Sequence, residues 1–76
     1  MITAPAANAA TITPDDDTDL AYTTRAIWVG GEGDLTVIMH GGATVTYTSV
    51  AAGTLLPIRV VRVLESTTAT DLVGMW

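Results

Sequence analysis

The stretch LTVIMHGGATVTYTSV, Leu35 to Val50, decides the fold. Leu35, Val37 and Met39 alternate with Thr36, Ile38 and His40; beyond the glycines, Val45 and Tyr47 alternate with Thr44, Thr46 and Thr48. Successive side chains of a strand point to opposite faces, so a period of two marks two strands. Gly41-Gly42 between them supplies the positive φ angles that a tight hairpin turn demands. Nothing in the stretch has the 3.6-residue period of a helix.

Working toward the N-terminus, Thr24 to Val29 (TRAIWV) reads as a strand whose two faces are both apolar: Ala26 and Trp28 on one, Ile27 and Val29 on the other. One face enters the core and the other meets something else. Glycines 30, 31 and 33 with Glu32 and Asp34 form a turn. They are no dinucleotide fingerprint, because Thr36 stands where the third glycine belongs and no helix follows. Thr11-Ile12-Thr13 is a short edge strand ending at Pro14, and Thr13-Pro14-Asp15-Asp16 has the residues of one capped helical turn. Residues 1–10 (MITAPAANAA) are an extended or flexible arm that could lie over a neighbouring subunit.

Toward the C-terminus, Ala51 to Thr54 is a turn and Leu55 to Leu64 (LLPIRVVRVL) a long strand of about 33 Å. Pro57 belongs near its start or on an edge, and the Val60-Val61 pair marks either a bulge or two packed faces. Ser66 to Thr70 is a polar link. Asp71 to Trp76 is a last short strand, with Trp76 packed on its own core or on a neighbour. Strands near 11–13, 25–29, 35–39, 43–50, 55–64 and 71–76 predict an all-β chain, a small antiparallel β-sandwich or β-barrel of five to six strands. The division is an arm over 1–10 and a single β domain over 11–76.

Composition bounds the function. A domain of 76 residues hides only about 60% of the surface its unfolded chain exposes. There is no cysteine to staple it, and one histidine makes a structural zinc site unavailable. Fourteen threonines and eight valines favour strands. Lysine is absent and charged residues are only 14%, against roughly 25% in an average soluble domain. Such a chain has little with which to cover a free surface, and we read it as a subunit largely covered by copies of itself or a partner. The net charge of −5 is concentrated in Asp15, Asp16, Asp17 and Asp19; from Leu20 onward four acids face three arginines. No basic groove is available for nucleic acid. No secretory signal and no membrane-spanning apolar run are expected, and the lack of cysteine fits a reducing cytoplasm.

A search for chemistry returns little. Asp15, Asp17 and Asp19 occupy the first ligand positions of a calcium loop, but Leu20 replaces the turning glycine and Ala26 the closing glutamate. The run reads as a solvated turn whose carboxylates accept backbone N–H bonds, with cation binding left open. Ser49 and Ser66 lack the glycine elbow of a hydrolase nucleophile, and His40 sits at a strand end where a polar ring is ordinary. No catalytic, cofactor or metal residues are assigned, and no enzyme is expected.

The run from Thr24 to Trp76 resembles the small head spike base proteins of gene transfer agents and related tailed bacteriophages. The resemblance is carried by Arg25 to Gly31, by GDLTV (Gly33 to Val37) and by AGTLLPIRVVRV (Ala52 to Val63), with ITPDDDTDL (Ile12 to Leu20) fitting the same pattern; it covers about 65 of the 76 residues. It implies a virion structural protein on the capsid surface, assembled in the host cytoplasm. It further implies a homo-oligomer, a pentamer, at capsid vertices, joining the major capsid protein to a spike fibre. Arg25, Trp28, Arg59, Arg62 and Trp76 are the residues on which we place the interface. The rival readings are a capsid decoration (cement) protein and a small carbohydrate-binding module that stacks sugar on Trp28, Tyr47 or Trp76.

Overall fold

The alternating runs fold as strands, which the computed structural model, describing residues 6–76, arranges in two antiparallel sheets. In chain order they are β1 (Ala9–Thr11), β2 (Ala26–Gly31), β3 (Gly33–Met39), β4 (Thr44–Val50), β5 (Thr54–Leu56), β6 (Val60–Val63) and β7 (Thr70–Met75). One sheet has the order β1-β7-β2-β5 and the other β4-β3-β6. Ile27, Val29 and Leu72 of the first sheet and Leu35, Val37, Val60 and Val63 of the second are all but closed to solvent, so the core lies between the sheets of a sandwich.

The hairpin between β3 and β4 uses one of its two glycines for the positive φ, not both. Met39 N–H donates to Ala43 O and Gly42 N–H to Met39 O, both at 2.8 Å. Only Gly42 takes a positive φ, 101°. This is the three-residue loop in which a turn is followed by one left-handed glycine.

The expected turn at 30–34 is a crossing between sheets. β2 and β3 are separated by Glu32 alone, yet β2 pairs with β5 and β7 while β3 pairs with β4 and β6. The link 68–71 runs directly over this crossing. A Cβ on Gly31 would overlap the Thr70 hydroxyl, and one on Gly33 would stand 2.5 Å from Ala69 N. Close backbone approach is what these glycines provide.

The long strand expected over 55–64 is two strands in different sheets, which raises the count to seven. β5 pairs with β2, β6 pairs with β3, and the chain changes sheet at Pro57 to Arg59, where a residue with no N–H leaves no ladder bond to lose. Thr24 fastens the break. It is fully buried; its hydroxyl donates to Ile58 O at 2.9 Å and accepts from Val60 N–H at 3.0 Å. The bulge considered at Val60-Val61 is present: Val63, Arg62 and Val60 pair with Val37, Ile38 and Met39, leaving Val61 unmatched. Val60 and Val63 thereby both reach the core.

The expected strand 11–13 stands two residues earlier, as β1 on β7. Ala7 and Asn8 N–H groups continue that pairing to Trp76 O, and Trp76 N–H returns to Asn8 O. Met1 to Pro5 of the arm lie outside the described residues. The capped helical turn at Thr13 to Asp16 does not form. Instead Asp15 N–H bonds Val63 O and Leu20 N–H bonds Val61 O, so the acidic segment lies along the outer edge of β6 and satisfies groups that a helix would leave open.

Candidate assembly surface

Because β2 alternates, Ile27 and Val29 enter the core and Trp28 must point out. The register then sets its neighbours. Trp28 lies directly opposite Leu55 of β5 and Val73 of β7, and Val73 lies opposite Thr11 of β1. A second row joins Ala26, which is itself buried, Met75 and Ala9. Directly opposed side chains in antiparallel strands sit about 4.5–5.5 Å apart, close enough to make one surface. Trp28 is 42% and Leu55 51% exposed, and they are the large hydrophobic side chains left open to water among the described residues. No charged side chain stands in either row.

The opposite outer face has another chemistry. Thr44 and Thr46 of β4 stand across from Ile38 and Thr36 of β3, and Ile38 stands across from Arg62 of β6. The Thr36 and Thr46 hydroxyls bond each other at 3.1 Å, and Thr67 Oγ1 donates to Thr36 O. Here hydroxyls meet water and the sheet covers itself. The two faces of the sandwich are therefore unequal, one apolar and one hydroxylic.

The five residues assigned to an interface do not gather at one place. Trp28 alone lies in the apolar rows. Trp76 is half-buried and stacks on Tyr22, with ring centroids 3.5 Å apart and planes 15° from parallel. Burial under this stack raises the Tyr22 phenol above its ordinary pKa. Arg62 is held within the chain: Nε donates to Asp19 Oδ1 at 2.8 Å and a terminal nitrogen to Asp16 O at 2.9 Å. Arg25 and Arg59 are exposed on either side of the Thr24 clasp, and Arg59 O accepts from His40 N–H.

The acidic run behaves as a backbone-bonding turn. Asp15 Oδ1 accepts Asp17 N–H, Asp16 Oδ1 accepts Glu65 N–H, and Asp16 N–H reaches Glu65 Oε2. Among the described residues no three acidic or histidine side chains stand together as ion ligands.

Sequence reasoning overlooked Leu55, Val73 and Met75, which complete the surface around Trp28. Their alternation was visible, but only the pairing register shows that they share its face. It also overlooked Asp34 as a clasp. The Asp34 carboxylate accepts Ser49 N–H at 2.8 Å, where β4 bulges and Ser49 takes a φ of 53°, while its carbonyl accepts Thr68 and Ala69 N–H groups.

No protein-family model matches the chain, and no curated protein matches it. Among solved structures, a chain from "Capsid of native GTA particle computed with C5 symmetry" superposes with a TM-score of 0.85 at 49% sequence identity. The match covers 95% of this chain and 84% of that one. At that identity over nearly the whole length, the chain belongs to the same family as this gene transfer agent capsid component.

Proposed function

We propose that the chain is a virion structural subunit, the oligomeric base of the head spike at capsid vertices, joining the major capsid protein to a spike fibre. The observation that carries this reading is its 49% identity to a protein of a capsid computed with C5 symmetry. The fivefold symmetry with which that particle was computed is compatible with a subunit repeated around a vertex axis. The role is mechanical and not enzymatic: a rigid sandwich supplies a platform, and exposed apolar surface supplies adhesion.

The Leu55–Trp28–Val73 row favours a protein partner over a sugar. A carbohydrate site needs hydrogen-bonding side chains around its aromatic platform, and the two rows offer only the hydroxyl of Thr11. A decoration protein spread over the shell would differ in copy number and place. The test is the native mass of the purified protein over a dilution series, followed by its incorporation into particles made without it. Five copies in solution and density at the vertices are expected. A monomer throughout that fails to join the particles overturns the reading, and density over the whole shell replaces it with the decoration role.

A further inference from the structure

Apart from the Asp15 to Asp19 run along the outer edge of β6, the charges of this chain are sorted by end. Between Leu35 and Leu64 there is no carboxylate; all eight acids lie outside that stretch. The fold converts this into a polarity along the strands. At one end, His40 N–H bonds Arg59 O, and Thr24, next to Arg25, bonds both neighbours of Arg59. Arg25, His40 and Arg59 are thereby brought to one exposed pole. At the other end, Glu32 sits in the β2–β3 crossing, and Asp71 lies beside Gly30 between the pairs Val29–Leu72 and Gly31–Thr70. Asp34 holds the same crossing to the link 68–69, and Glu65 meets Asp16 nearby. β3 runs from one pole to the other, about 20 Å at roughly 3.3 Å per residue. Arg62, the remaining cation, is matched by Asp19 at 2.8 Å.

We propose that copies of this chain associate head to tail, the basic pole carrying Arg59 and His40 of one copy docking on the acidic pole around Glu32 of the next. The inference rests on the ring reading above and adds to it the surfaces that meet. A cyclic ring beyond a dimer needs a heterologous interface, in which one surface of a subunit meets a different surface of its neighbour. Two complementary poles on opposite ends are such a pair, and a second copy supplies the complement to each without any other partner. Contacts of a pole with the equal pole of a neighbour bring like charges together and are disfavoured. The uncharged Trp28 face stays outside this contact, available to the capsid or the fibre.

The test is charge reversal followed by native mass spectrometry of the full chain at low and high salt. Arg59→Glu and Glu32→Arg each place like charges across the interface. Each should raise the concentration needed for half-assembly by about tenfold or more, with wild-type assembly also weakening as salt rises. The double variant R59E/E32R restores opposite charges between neighbours and should recover assembly, which a folding defect would not do. Both residues are exposed, and unchanged circular dichroism of each variant checks the fold. A ring unmoved by either reversal overturns the head-to-tail contact and leaves the ring reading standing. A wild-type chain that is monomeric at every concentration and salt overturns the head-to-tail contact, and incorporation into particles then decides the ring reading by itself.

Discussion

Removing the Thr24 hydroxyl while keeping its volume, with Thr24→Val, should cost about 2–4 kcal/mol of stability. The hydroxyl makes two of the bonds between the chain entering β2 and the break that separates β5 from β6, and valine keeps only the backbone one from Thr24 N–H to Val60 O. The bond to Ile58 O is worth about 0.5–1.5 kcal/mol net, and leaving the buried Val60 N–H unpaired costs about 1–3 kcal/mol. Val60 N–H is in that position, since Val60 and Thr24 are both fully buried; Ile58 is half-exposed, so its carbonyl can turn to water. Thr24→Ser keeps both bonds and loses one methyl, about 1 kcal/mol. A domain of this length has a total of about 4–11 kcal/mol, so the valine variant is severely weakened and the serine variant is not. Urea unfolding followed by tryptophan fluorescence measures the difference, at one protein concentration because assembly raises apparent stability. With a slope of about 1 kcal/mol per M, the valine midpoint should fall by about 2 M or more and the serine midpoint by about 1 M. A valine variant as stable as the serine variant refutes the reasoning, because packing and not hydrogen bonding would then be what Thr24 contributes.

Trp28→Thr should leave the monomer folded and weaken attachment to the particle: the open 42% of the ring is about 100 Å², worth about 2–3 kcal/mol per subunit if covered, and unchanged incorporation by quantitative blotting of particles would exclude this face. Gly33→Ala drives a Cβ into the Ala69 backbone whereas Gly41→Ala meets nothing within 4 Å; the first should lower the melting temperature by more than 10 °C, given about 4–8 °C per kcal/mol at this size, and the second should hardly move it. The raised Tyr22 pKa means that the folded state keeps a proton the unfolded state has lost. Stability is therefore full below the ordinary phenol pKa of 10.0 and falls as pH rises above it; Tyr22→Phe, which keeps the stacking partner of Trp76, should remove that alkaline loss in melts recorded from pH 8 to 11.

How much of this was legible depends on which faces are wet. β3 and β4 were read from Leu35 to Val50 because one face is buried and the other carries threonine, so the alternation is clean. The run LLPIRVVRVL is apolar throughout, and a strand that changes sheet in its middle leaves the same composition as one that does not. Pro57 marked the place without saying what happens there. The crossing at Glu32 was read as a turn because glycines serve both tight turns and close backbone approach, and only the position of residues 68–71 separates the two. Thr24 and Asp34 carry no signature at all. Each is one of many threonines or acids, distinguished by what the fold brings against it. The surface around Trp28 was half visible: two apolar faces on TRAIWV required a partner for one of them, but Leu55 and Val73 join it through register, which no local pattern encodes.

The same geometry changes what assembly has to supply. The short, charge-poor sequence reads as a subunit largely covered by copies of itself or a partner. The accessible surface is 4339 Å², close to the roughly 4,400 Å² expected of a compact monomer of 7.9 kDa. Ten buried side chains from both sheets and their connections already form one cluster within the chain. The edge of β6 is covered by residues 15–20 of the same chain, and β7 lies between β1 and β2. Contact with other subunits thus adds adhesion to a finished fold and does not complete an unfinished one. It follows that variants divide cleanly. Changes at Thr24 or Gly33 should lower the stability of the subunit itself, whereas a change at Trp28 should weaken attachment to the particle and changes at Arg59 or Glu32 should release folded monomers whose melting is that of the wild-type monomer.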